Sequence, residues 1–191
     1  MKNNLNLIVV AIMILCAKTG FAQINELQVK TSNVLKLNFF LPGISYEQKL
    51  TKYSTLNFDA YMDALILSKN ENTNGNAHIY FTPSFKAEYR NYYNLNKREG
   101  KGLRTLLNSA NYIAPVYIGR YSPVADYAEH EWVSQTGAVW GMQRNTPKGF
   151  SFDLNLGLVH TFNQDDYHYY SKFITPVVQV RLGYWLGAKP K

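Results

Sequence analysis

Residues 81 to 90 read F-T-P-S-F-K-A-E-Y-R. Phe81, Pro83, Phe85, Ala87 and Tyr89 share one parity; Thr82, Ser84, Lys86, Glu88 and Arg90 share the other. Side chains alternate faces along a strand, so this segment sets an apolar row against a charged one. It is predicted to run from Ile79 to Tyr92. Val34 to Phe40 repeats the pattern, with Leu35, Leu37 and Phe39 against Lys36 and Asn38, before Pro42-Gly43 breaks the chain. Ile44 to Leu50 sets Ile44 and Tyr46 against Ser45, Glu47 and Lys49. Thr55 to Asp63 sets Leu56, Phe58, Ala60 and Met62 against Asn57, Asp59, Tyr61 and Asp63. Phe150 to Leu158 alternates with Ser151, Asp153 and Asn155 on the polar side. Ile174 to Leu186 does so with Thr175, Gln179 and Arg181. Two further strands, Tyr112–Tyr121 and Trp132–Gln143, do not resolve into faces. Ile113 and Val116 fall on opposite parities, and Gly137 and Gly141 point to bends or close packing.

The connectors carry turn chemistry. The segment 68–78 is polar around Asn74-Gly75, 122–131 is acidic, 145–149 is a tight N-T-P-K-G turn, and 163–170 holds Asp165-Asp166 in a Tyr/His cluster. The longer connector 94–111 is basic, with Lys97, Arg98, Lys101 and Arg104, and is expected to hold a short helix around Gly102 to Leu107. No solenoid repeat or linker interrupts the chain, which reads as one domain.

An even number of antiparallel strands can close with both ends on one side. Segments of about 9–13 residues match a tilted membrane crossing of roughly 9–11. The polar parities of the clear strands carry Lys36, Lys49, Lys86, Arg90 and Arg181 against Glu47, Asp59, Asp63, Glu88 and Asp153. Such a balance suits a narrow interior, where an unpaired charge costs several kcal/mol, about 3–5 when one partner of a pair is lost. The fold expected is therefore all-β: an eight-stranded antiparallel transmembrane β-barrel whose interior holds these ten residues as a structural charge network. A soluble lipid-binding barrel or sandwich would alternate identically with its faces reversed.

The N-terminal segment sharpens the choice. Lys2, the apolar run Leu7–Ala17 and the small-x-small site Gly20-Phe21-Ala22 have the order of a secretory signal peptide, expected over 1–22, with the barrel domain over 23–191. Cys16, the only cysteine, lies in that run after Leu15, which is too large for a lipoprotein signal. The remainder therefore offers no disulfide, thiolate ligand or cysteine nucleophile. Without Lys2 and Lys18 the formal charge of +7 falls to +5, too mild to argue for nucleic acid in an exported chain. All 15 tyrosines follow residue 40, and their amphipathic rings suit a membrane–water interface.

Candidate chemistry is sparse. His78, His130, His160 and His168 sit in or near connectors. His160 or His168 with Ser171, Asp165 and Asp166 can be drawn as a triad, but no nucleophile signature accompanies them. Asp165, Asp166 and His168 lack the spacing of a defined cation site. Gly100-Lys101-Gly102 is not a phosphate loop. Glu88 between Lys86 and Arg90 reads as part of an ion network rather than as a catalytic acid. No cofactor and no catalytic constellation is expected.

The segments K-L-N-F-F-L-P-G-I-S-Y-E-Q-K-L, T-P-S-F-K-A-E-Y-R-N-Y-Y, N-Y-I-A-P-V-Y-I-G-R-Y, V-W-G-M-Q-R-N and F-D-L-N-L-G-L, placed after an export signal, resemble small outer-membrane β-barrel proteins of Gram-negative bacteria. The architecture is similar to the OmpA transmembrane domain, OmpX and OmpW, over residues 33 to 186. The chain departs from that pattern in lacking a C-terminal aromatic residue; Trp185 is followed by six others. The resemblance implies a cell outer-membrane location, lipid and lipopolysaccharide as surroundings, and passage through the barrel-assembly machinery. It implies no nucleic acid and names no protein partner. By strand parity, loops 68–78, 122–131 and 163–170 would face outside and 94–111 the periplasm. A structural or surface-interaction role is expected, with a plugged interior. The alternatives are a small-solute channel, a lipid-modifying enzyme at the outer rim and a soluble lipid-binding barrel.

Overall fold

Alternation over F-T-P-S-F-K-A-E-Y-R becomes a long strand, β4 (Ala77–Asn91), in a computed structural model that describes residues 30–68, 77–123, 130–162 and 174–187. The others are β1 (Val34–Phe40), β2 (Gly43–Lys49), β3 (Ser54–Ser68), β5 (Asn111–Pro123), β6 (His130–Asn145), β7 (Phe150–Phe162) and β8 (Ile174–Leu186). Every neighbour is antiparallel, and β1 pairs with both β2 and β8, so the eight strands close into a barrel. Closure leaves no free sheet edge along the shared length of the strands. The expected leader, the histidines at 78, 130 and 168 and the loop aspartates at 165 and 166 lie outside the described residues or side chains.

Strand ends depart from the sequence reading where alternation fades. β3 runs on past Asp63 through the uniformly apolar Ala64-Leu65-Ile66-Leu67, because β4 supplies ladder partners up to Ala77. β7 likewise continues to Phe162 against β6. The helix expected near 102–107 instead occupies α1 (Leu95–Glu99), followed by a 3-10 turn at Leu106–Asn108. Leu95 is the buried anchor of α1, whereas Gly102, at φ 66°, takes a left-handed conformation that interrupts a helix there.

The strands are unequal, and this shapes the wall. β1 and β2 have 7 residues each, while β3 has 15 and β8 has 13. The β1–β2 turn at Leu41-Pro42 therefore lies well below the top of its neighbours. β1 pairs with β8 only as far as Leu182, and β2 pairs with β3 only as far as Tyr61, with one more bond from Met62 N–H to Pro42 O at 2.9 Å. Above that turn, no strand lies between β3 and β8 among the described residues. Prolines sit where a ladder can do without a donor. Pro83 lies just beyond the last β4–β5 pair, at Ser84, and Pro115 opposes Tyr89 in a gap in the same ladder.

The end with the chain's first described residues is closed. The β4–β5 connector folds across it, burying Tyr92, Leu95, Asn108, Ser109 and Ala110. Asn108 Oδ1 accepts from Ser32 N–H at 2.8 Å and its Nδ2 donates to Ser32 O at 2.8 Å, tying this plug to the segment that precedes β1. The Leu107 carbonyl accepts from Gln143 Nε2 at 3.2 Å and from Asn145 Nδ2 at 2.5 Å.

Candidate functional site

The parity of β4 decides the placement. Thr82, Ser84, Lys86, Glu88 and Arg90 are buried, while Phe81 is 68 % exposed and Tyr89 42 %. Charges point into the barrel and the apolar row points out. The same holds on the other clear strands. Lys36, Glu47, Asp59, Asp153 and Arg181 are each at most 4 % exposed, whereas Leu37, Ile44, Met62, Leu158 and Val178 are exposed.

Register builds the network. Asp59 lies directly across from Lys86 and Asp153 from Arg181, so opposite charges meet within the ladder itself. Glu88 lies at the centre. Its Oε2 is 2.5 Å from Arg90 Nη2, and its Oε1 is 3.1 Å from Lys86 Nζ. It also accepts from Asn57 Nδ2 at 3.2 Å and Asn155 Nδ2 at 3.1 Å. Arg90 reaches onward to Asp153 Oδ2 at 3.0 Å. Lys86 Nζ lies 3.3 Å from Asp59 Oδ2, which also meets Arg181. Lys36 Nζ donates to Gln143 Oε1 at 2.6 Å and lies 3.8 Å from Glu47 Oε2.

Neutral groups complete it. Glu47 Oε1 accepts from Thr55 Oγ1 and from the Tyr92 hydroxyl, each at 2.6 Å. Tyr92 lies beyond the end of β4. Burial first, and then the Glu47 carboxylate, raises its phenol well above the ordinary tyrosine value, so this hydroxyl keeps its proton and donates. The Arg90 guanidinium carbon lies 4.4 Å from the centre of the Tyr112 ring. The Tyr112 hydroxyl is 2.9 Å from Asp153 Oδ1.

Two of the ten expected members stand apart. Lys49 has the right parity but ends β2, where the side chain is exposed; it is not in the network. Asp63 lies nearer the opposite end and pairs with Arg120, Nε to Oδ2 at 2.8 Å. Arg120 is the residue the alternation did not reveal. β5 is apolar on both faces, with Tyr112, Ala114, Val116 and Ile118 buried inside and Ile113 and Tyr121 exposed outside. The usable signal was Arg120 itself, the one charged residue on β5, which shares parity with those inner residues. With Lys49 replaced by Arg120, the named cations and anions still balance among the described side chains.

The centre of the arrangement is chemically closed. Glu88 has its carboxylate oxygens occupied by cationic and amide donors, leaving no free acceptor for a substrate proton. Among the described residues no group of three or more His, Cys, Asp or Glu is placed to hold a metal ion. His160 lies on β7 with its ring 4.9 Å from that of Phe162, which is aromatic packing and not a base beside a nucleophile. No protein family, curated protein or solved structure matches the chain.

Proposed function

We propose that this protein is an exported outer-membrane β-barrel with a structural or surface-interaction role and a plugged interior. One observation carries the reading: the charges are buried inside the ring while large apolar side chains cover its outside. Phe39, Ile113, Leu158, Ile174 and Val178 are all more than half exposed. In water such a band is an association hazard. In hydrocarbon it is the stable arrangement, because a closed barrel satisfies its backbone internally. Aromatic residues fall toward both rims, as interface anchors do: Tyr121 beside Trp132 near one, and Tyr93, whose hydroxyl accepts from Trp140 Nε1 at 2.8 Å, near the other. Lipid and lipopolysaccharide are then the surroundings, and the loops between β3 and β4, β5 and β6, and β7 and β8 meet the outside.

The closed network and the folded connector beneath it support a plug rather than a pore. Sucrose-gradient separation of membranes from soluble contents tests the location. Recovery with outer-membrane markers, and faster gel migration when unboiled, is expected; recovery in the soluble fraction would end the membrane reading. In planar bilayers the protein is expected to give no steady conductance.

A further inference from the structure

Among the described residues the barrel wall is breached on one side. Above the β1–β2 turn, a cavity of about 300 Å³ is lined by four consecutive residues of β8, Val177 to Val180, and by Asp63 and Ala64 of β3. Consecutive strand residues face opposite sides of a sheet. A cavity touching both parities on both strands therefore passes through the wall. Phe40 and Leu41 form its sill, and Arg120 its inner end.

The flanking backbone is built for an unpaired edge. Trp185 N–H bonds to Gly149 O on the β7 side, so even-numbered residues of β8 turn their backbone groups toward β1. Above Leu182 that side has no strand among the described residues, and Pro176 falls there without an N–H to leave unsatisfied. On β3, Met62 N–H points toward the missing strand, so Ala64 N–H does as well; it is taken by Asp63 Oδ1 at 3.0 Å. At these two positions the edge therefore presents no free N–H.

Its inner end sets an electrically neutral polar cluster beside the apolar Ile118 and Val177. Asp63 pairs with Arg120, which also donates to Gln135 Oε1 at 2.8 Å. Beside them, Tyr61 and Thr82 share the inner face with Asp63. Both are buried, at 4 % and 1 % exposure; the Thr82 hydroxyl has no hydrogen-bond partner among the described residues, while the Tyr61 hydroxyl lies within reach of the Gln179 amide. Buried hydroxyls normally find a partner. The outer part is apolar, with Phe40 and Val178 exposed on the outside of the barrel.

We propose that this breach is a lateral binding site for a single-chain amphiphile with an uncharged hydroxyl-bearing head. The head hydrogen-bonds between Gln179 and the Asp63–Arg120 pair, with Tyr61 and Thr82 behind them, while the chain leaves over Phe40 and Val178 into the surrounding lipid. An anionic head is disfavoured because it must displace Asp63 from Arg120. The volume lies at the small end of ligand sites, roughly 300–1,000 Å³, enough for the head and the first part of the chain. The chain's path into lipid rests on the membrane reading above; the site itself does not.

A monoacylglycerol carrying a photoreactive diazirine next to its head tests this on the full chain in detergent micelles, with adducts mapped by mass spectrometry. Adducts are expected within residues 61–64 and 177–180. They should fall about tenfold with Ala64→Trp, which fills the breach, and with Gln179→Leu, which leaves it open but removes a polar partner. Unboiled gel migration reports that each variant is folded. Adducts spread evenly over the outer face, adducts indifferent to both variants, or equal labelling by a matching fatty acid at pH 8 would overturn the proposal. Because micelles replace the membrane, a protein found in the soluble fraction that still labels at these positions loses the membrane reading and keeps the site. A membrane-fraction protein that fails to label there keeps the membrane reading and loses the site.

Discussion

The interior face of β3 and β4 carries Asn57, Asp59, Lys86, Glu88 and Arg90, all buried and linked by ion pairs and hydrogen bonds. The interior face of β5 and mid-β6 carries Tyr112, Ala114, Val116, Ile118 and Val139, buried in one apolar cluster. The two regions are neighbours in one barrel and solve the same problem in different ways. On β4, a slip of one residue would turn Lys86, Glu88 and Arg90 toward the outside, so the charges specify which face is in. On β5 both faces are apolar and a slip would cost far less. There the register rests on local fit. A Cβ on Gly141 would come within 2.1 Å of the Tyr112 ring, so the glycine makes room for that side chain. Arg90 over Tyr112 is the seam between the regions. Replacing a complete buried ion network by apolar residues is often neutral for stability, so orientation and register explain the charged half better than strength does.

The largest effect is expected from breaking the charged half at its centre. Arg90→Met leaves Glu88 and Asp153 short of a cation and should destabilise the barrel by about 3–5 kcal/mol, read from urea unfolding by the loss of heat-modifiable migration. Adding Glu88→Gln restores neutrality and should recover roughly 0.5–3 kcal/mol; no recovery would mean that Arg90 acts through packing alone. At the seam, Tyr112→Phe removes a hydroxyl beside Asp153 and Asn155 and should cost about 1–3 kcal/mol in the same assay. In the apolar half, Ile118→Val should cost only about 0.5–1.5 kcal/mol. The smallest effect belongs to Lys49→Gln, within about 0.5 kcal/mol, whereas Lys36→Gln should rank near Arg90→Met. Equal effects at Lys36 and Lys49 would dissolve the distinction between network and rim.

Legibility in the sequence follows the same division. β1 and β8 have the bounds that alternation predicts, and β4 its faces, because apolar and charged residues take turns there. Alternation also names the inner charges Lys36, Glu47, Asp59, Lys86, Glu88, Arg90, Asp153 and Arg181. It misplaces Lys49, since parity gives the face of a residue but not its depth along the strand. It misses Arg120, since a strand apolar on both sides hides which side is interior. The amides that complete the network, Gln143, Asn155 and Gln179, carry no charge to count and become visible only once register brings them to Lys36, Glu88 and Lys86. The breach in the wall depends on strand lengths compared across the barrel. Pro42-Gly43 marks the early turn of β1, but the continuation of β3 through A-L-I-L is set by its pairing with β4.

The central claim is that the apolar row meets lipid while the charged row is enclosed. Spin labels at single cysteines along β4, in protein with Cys16 changed to serine and reconstituted into lipid vesicles, test it most directly. Accessibility to oxygen, which concentrates in hydrocarbon, and to a water-soluble nickel chelate is compared at Phe81, Ser84, Phe85, Ala87 and Tyr89. High oxygen and low nickel accessibility at Phe81, Phe85, Ala87 and Tyr89, with both low at Ser84, is the result expected. Nickel accessibility at Phe81 and Phe85 matching that of an aqueous loop would contradict it.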